Sequence, residues 1–295
     1  MSDKSNPLWA YSLPSALFLM APFDILSSLA MDVYLPIIPE MPTALNTSPA
    51  IVQLTLSVYM IVLGLGQVVF GPMSDRIGRR PIVLGGAFFF TVSSFALAMT
   101  SNGPLFVTLR VLQALGASAM LVATFATVRD VYANSPESSV IYSLFGSMLA
   151  FVPALGPILC AVIAMNFGWR AIFVMLGIFG LFAFCHALLR WHETRPSRQS
   201  RQSPVFWSIL GSSSFWIYTL GFSTAMGAFF VFFSTSPRVL IERLGLSQII
   251  FSAIFATVAF VMIITTRFAR FCVSRWGVEG SLIRGLFVIL MGACI

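Results

Sequence analysis

Charge is what this sequence has least of. Asp, Glu, Lys and Arg make up 9% of its 295 residues, there are two histidines, and Lys4 is the sole lysine. A soluble domain carries roughly a quarter charged residues. Here 58% of residues are hydrophobic and the mean hydropathy is +0.92, so much of the apolar surface has to face lipid. Cysteine is also sparse: Cys160, Cys185, Cys272 and Cys294 lie far apart, without metal-ligand spacing, and His186 and His192 complete no site. They read as small buried residues. No nucleophile–base pair and no Gly-rich loop ending in Lys-Ser/Thr occupies a polar gap, which argues against an enzyme and against ATP hydrolysis. The net charge of +7 comes from arginines scattered between apolar runs, not from a basic stripe, which argues against a nucleic-acid partner. With Lys4 as the only positive charge ahead of it, the first apolar run reads as a true membrane helix, not a cleaved signal.

Apolar runs are what the sequence does have. Crossing about 30 Å of hydrocarbon takes roughly 20 helical residues. Runs of that length cover 12–38, 51–73, 81–100, 104–128, 139–164, 169–190, 214–236 and 247–267, and a ninth starts near 282. Their length and lack of alternation predict an all-α integral membrane protein, not a barrel. With the N-terminus inside, the inner gaps hold Arg76, Arg79, Arg80, Arg129, Arg190, Arg195, Arg198, Arg201, Arg267, Arg270, Arg275 and Arg284. The outer gaps hold only Arg170, Arg238 and Arg243. This asymmetry predicts a cytoplasmic N-terminus.

The longest polar interruption, 191–213, follows six helices. It divides the chain into a six-helix bundle (1–190), a cytoplasmic linker (191–213) and an incomplete second bundle (214–295). "SDRIGRR" after helix 2 and "VSRWGVE" after helix 8 align Arg76 with Arg275 and Gly78 with Gly277. Helices 1 and 7 start at nearly the same offset, which predicts a parallel repeat of six helices. Eight and a half helices then imply a C-terminally truncated chain.

Two acids sit inside the first run, "APFDILSSLAMDVYLPIIP". An ionisable residue within a membrane helix is expensive and is a functional candidate by default. On a helix Asp24 and Asp32 lie about 12 Å apart along the axis and about 80° around it. Arg110 in helix 4 falls at nearly the depth of Asp32, which suggests a shared polar cavity. Burial raises a carboxylate's pKa and a nearby arginine lowers it. A carboxylate exposed alternately to the two sides can therefore carry a proton across. Asp24 and Asp32 are candidate proton and substrate acceptors, with Arg110 tuning one of them. The alternative is a static Asp–Arg pair that only fixes packing.

Several stretches resemble a known family. "GPMSDRIGRR" resembles the motif between helices 2 and 3 of major facilitator superfamily transporters, through Gly71, Asp75, Arg76, Gly78, Arg79 and Arg80. The glycines would allow a tight turn and close helix approach. Asp75 and the arginines would form a cytoplasmic latch, with Asp130 as a partner. "RVLQALGAS" is similar to the helix 4 motif through Arg110, Gln113 and Gly116. "GSMLAFVPALGPILCA" is similar to the antiporter motif through Gly156 and Pro157, with Cys160 and Ala161 in place of its usual glycine pair. "FDILSSLAMDVYLP", "LVATFATVRDVYA", "FFVFFSTSPRVL" and "WHETRP" resemble the twelve-helix drug:proton antiporter branch, and within it the bacterial chloramphenicol and florfenicol exporters. The resemblance implies two six-helix bundles in the bacterial inner membrane and phenicol efflux by alternating access, driven by the proton gradient without a cofactor. Tyr34, Gln53, Tyr59, Gln67 and Gln113 are candidates for the cavity wall. The partners implied are a small drug, protons and the bilayer, and the oligomeric state stays open. An exporter of another small molecule, or a non-transporting fragment, are the competing expectations.

Overall fold

The computed structural model describes residues 9, 11–133, 137–195 and 211–294, and the described residues are almost wholly helical. Linker residues 196–210, with Arg198 and Arg201, lie outside the described residues, as do the side chains of Arg267 and Arg270. Among the described residues, eight long helices follow in order, besides a single turn at Met41–Ala44: α1 (Leu13–Asp32), α2 (Pro49–Ile77), α3 (Arg79–Met99), α4 (Gly103–Tyr132), α5 (Glu137–Phe167), α6 (Arg170–Arg190), α7 (Ser213–Pro237) and α8 (Gln248–Ala293). Among the described residues, nine helical segments are long and apolar enough to span a membrane.

Local sequence explains the ends. Asn102 accepts from the Leu105 amide at 2.9 Å to cap α4, and Ser48, Ser212 and Ser247 cap α2, α7 and α8 in the same way. Helix α1 stops at Asp32, short of the expected 38, because Pro36 and Pro39 deny the backbone donors a helix needs; the chain continues as a 3-10 stretch, Leu35–Glu40. Pro22 is accommodated inside α1.

The expected gap after residue 267 and the start near 282 are corrected. Helix runs unbroken from 248 to 276, breaks at Gly277 (φ 70°, ψ 177°) and resumes at once, and the ninth segment of membrane length and composition, Phe271–Ala293, includes that break. Arginines there read as a loop in the sequence, but a helix tolerates charge where it leaves the hydrocarbon. Gly78, its counterpart 199 positions earlier, also takes a left-handed backbone, with φ 126°. Both glycines turn the chain where an ordinary residue would be strained. The cysteine expectation holds only for Cys160: Cys185 and Cys294 are exposed and Cys272 is half-buried, because α6 and α8 turn those positions away from the bundle.

The core of the first six helices centres on α4, which packs against α3, α2 and α1. Backbones touch at one point: a Cβ on Gly116 would fall 2.6 Å from the Gly86 carbonyl oxygen, and one on Gly86 would fall 2.7 Å from that of Gly116. Gly116→Ala is therefore expected to push α3 and α4 apart and cost about 1–3 kcal/mol. Unfolding in graded denaturing detergent would measure it, and an unchanged midpoint would contradict the contact.

The two halves meet at the end of the bundle opposite Gly78. Gln53 Nε2 donates to the Ser234 carbonyl (3.2 Å), Gln248 Nε2 to Glu40 Oε1 (2.6 Å) and Ser252 Oγ to the Pro157 carbonyl (3.0 Å). Gln53 also lines a cleft of about 490 Å3 between the halves there, with Arg238, Glu242 and Arg243 of the π-helical turn that continues α7.

Candidate functional site

Helix α1 carries both intramembrane acids into the bundle interior. Asp24 and Asp32 are 4% and 1% exposed, and neither forms an ion pair among the described residues. Oδ2 of Asp24 and both carboxylate oxygens of Asp32 are buried without a hydrogen-bond partner. Unpaired polar groups in such surroundings are costly, so their persistence calls for a role.

Arg110 is completely buried, yet it pairs with neither acid. Its Nη1 donates to the Ala30 carbonyl (2.9 Å) and to Gln113 Oε1 (2.7 Å). Its guanidinium lies 4.3 Å from the ring centre of Tyr59 and 5.0 Å from that of Tyr34. The aromatic faces and one carbonyl stabilise the cation in place of a counter-charge. Gln113 passes the network to Ser94 (2.8 Å), Tyr59 donates to the Ser27 carbonyl (3.0 Å), and the Tyr34 and Thr55 hydroxyls share a hydrogen bond. The static Asp32–Arg110 pair weighed from the sequence is thus absent. Equal depth on two helices fixes no azimuth, and aromatic partners for arginine leave no signature in helix spacing.

Gly156 of α5 brings the antiporter-like segment onto Asp32. A Cβ at Gly156 would lie 3.5 Å from Asp32 Cβ and 3.3 Å from Leu29 Cδ1. The adjacent Pro157 carbonyl takes the Ser252 hydrogen bond from α8, so one segment touches both the buried acid and the other half. Cys160 and Ala161, which stand where the resemblance expects glycines, are fully buried. Gln67 is exposed and lines a second pocket with Gly71, Asp75, Phe125, Arg129 and Tyr142.

At the Gly78 end the charged motif closes on itself. Arg79 is 2% exposed. It reaches Asp75 Oδ1 (2.7 Å), Asp130 Oδ2 (2.7 Å) and Ser74 Oγ (3.2 Å). Arg129 lies outside this cluster, 3.4 Å from Asp130 and 3.7 Å from Asp75. Gly71 sits within α2 with open space at its Cβ position, so of the two motif glycines only Gly78 makes a turn. Arg76 contributes its carbonyl, which accepts from Arg195, and the Arg80 guanidinium reaches the Leu188 carbonyl (3.0 Å).

Sequence reasoning missed Glu193. It was visible only as the acid of "WHETRP". Its Oε1 accepts from the Arg79 amide (2.8 Å) and Oε2 from the Arg80 amide (3.2 Å), while a Cβ on Gly78 would lie 2.9 Å from its carboxyl carbon. Gly78 precedes α3 without a side chain to cap it, and the acid after α6 supplies the cap from a distance. Glu193→Gln is expected to weaken this end by about 1 kcal/mol. Faster hydrogen exchange at the Arg79 and Arg80 amides would report the loss, and unchanged exchange would count against it.

Membrane-length helices around buried acids, with an ion-paired charged motif at one end, define a multi-pass membrane transporter. The chain belongs to the Major Facilitator Superfamily, whose family model matches residues 23–295. It is 48% identical over 299 residues to a chloramphenicol resistance protein of Pseudomonas aeruginosa, covering 100% of this chain and 70% of that protein. It is 30% identical over 263 residues to the multidrug resistance protein MdtL of Salmonella heidelberg (strain SL476), covering 85% of this chain and 66% of the relative. Among solved structures, a bacterial homolog of the human lysosomal transporter Spinster, inward-facing and unoccupied, superposes with a TM-score of 0.74 at 14% identity. That match covers 92% of this chain and 64% of the other. At that identity the likeness speaks for the fold alone.

Proposed function

We propose that the chain serves proton-coupled export of phenicol antibiotics, chloramphenicol and florfenicol, across the bacterial inner membrane, with its N-terminus in the cytoplasm. The observation that carries the reading is Asp32, buried without partners beside the segment that joins the halves. The 48% identity to a chloramphenicol resistance protein supports the substrate class. A carboxylate without partners in a dry surrounding takes up a proton readily, and releases it when water or a competing ligand reaches it.

Contacts between the halves at the end opposite Gly78 support an inward-open state in which drug enters from the cytoplasm or inner leaflet. Asp24 and Asp32 then accept either proton or drug. Arg110, held by Tyr34 and Tyr59, keeps a fixed positive potential over the site whichever of them is bound. Gln53 supplies a polar contact in the wall, Tyr59 and Gln113 hold Arg110 behind it, and the cluster of Asp75, Arg79 and Asp130 ties α2, α3 and α4 together at the cytoplasmic end. The energy is that of the proton gradient, and no cofactor takes part.

A second substrate reading, another small drug, is favoured by the likeness to MdtL. Everted membrane vesicles with an imposed pH gradient separate the two. Chloramphenicol or florfenicol added outside is expected to collapse the gradient. Collapse by unrelated drugs but not by phenicols would select the second reading, and collapse by neither would contradict both.

A further inference from the structure

A groove between the start of α1 and the end of α6, at the Gly78 end, plays no part in the proposed transport reaction. It measures about 520 Å3 and is lined by Tyr11, Pro14, Ser15, Phe18, His186 and Arg190 among others. We propose that it binds the headgroup of an anionic phospholipid.

The groove is polar at its end and apolar below. Arg190, exposed at the last position of α6, forms no ion pair among the described residues, and Tyr11 Oη fixes its backbone by donating to its carbonyl (2.6 Å). His186 lies one turn deeper on the same face. Ser15, whose hydroxyl lies 3.0 Å from that of Ser12, adds a hydroxyl to the lining. Beneath them Phe18 packs against His186 and Phe182, with ring centres 5.2 and 6.2 Å away. Phe18, Phe182 and Leu189 are 59%, 50% and 78% exposed, a surface suited to an acyl chain. One guanidinium, one imidazole and a hydroxyl above an aromatic wall match a phosphodiester on a diacylglycerol.

Charge selects among lipids. Among the described residues no carboxylate lines the groove, so the ammonium of a zwitterionic head would find no acceptor there, whereas a phosphoglycerol head needs none. The site is independent of what the protein transports.

The test is lipid retention by the purified chain after reconstitution in mixed phosphatidylglycerol and phosphatidylcholine, read by native mass spectrometry. The unsubstituted chain is expected to retain phosphatidylglycerol over phosphatidylcholine by about tenfold. The double variant H186Q/R190Q should bring the ratio to parity. Arg190→Lys, which keeps the charge on an exposed position, should preserve most of it and guards against misfolding of the double variant. Equal retention of both lipids by the unsubstituted chain, or an undiminished preference in the double variant, would overturn the proposal. So would loss of the lipid to millimolar inorganic phosphate, which would mark a site for a free anion.

Discussion

Asp32→Asn is expected to abolish drug export while leaving the protein folded and in the membrane. The substitution keeps the volume of a residue that is 1% exposed and removes its capacity to carry a proton. Loss of a proton-transfer group lowers rates by at least about 100-fold, enough to return drug susceptibility to that of cells without the protein. Stability should move the other way or not at all. Both oxygens lack hydrogen-bond partners, so no native contact is lost, and an amide is easier to bury than a carboxylate. Lost export with unchanged or raised resistance to denaturing detergent is therefore the expected pair of results. Lost export together with lost folding would assign Asp32 a structural role, and full export would remove it from the mechanism. Asp24→Asn should lower export as well, read in the same assay.

Arg79→Gln is expected to be the most destabilising single change at the Gly78 end. The guanidinium is 2% exposed and the Asp130 carboxylate 5%, so removing the cation leaves a buried anion with only the exposed Arg129, 3.4 Å away, as counter-charge. Breaking one side of a buried pair typically costs about 3–5 kcal/mol. The double variant R79L/D130L should recover much of that, because the net worth of a buried pair over apolar residues is small. Arg129→Ala, at a side chain 63% exposed, should cost less than about 1 kcal/mol. Unfolding midpoints in graded detergent would rank the three. A harmless Arg79→Gln would contradict the buried geometry.

Much of this was legible in the sequence because lipid simplifies the code. Every backbone group in hydrocarbon must be satisfied internally, so run length alone marks helices, and arginines mark the ends. The pairing of Asp130 with a motif arginine was also within reach, since both lie at helix ends on one side. Three things were not legible. The helix through 268–276 hides behind arginines that look like a loop, because hydropathy does not register backbone geometry, whereas the break at Gly277 falls in the gap that the repeat with Gly78 marked. The partners of Arg110 depend on which way α4 faces, and Tyr34 and Tyr59 come from the 3-10 approach and from α2. Glu193 lies 115 positions beyond Gly78, and only the fold brings an acid after α6 onto the start of α3.

The central claim is proton-driven export of phenicols, and labelled florfenicol accumulation tests it most directly. Bacteria making this chain would be compared with cells lacking it, with and without a protonophore. The account predicts lower accumulation in the producing cells, restored to the control level by the protonophore. Equal accumulation in both strains, with the protein verified in the membrane, or a reduction that the protonophore leaves intact, would contradict it.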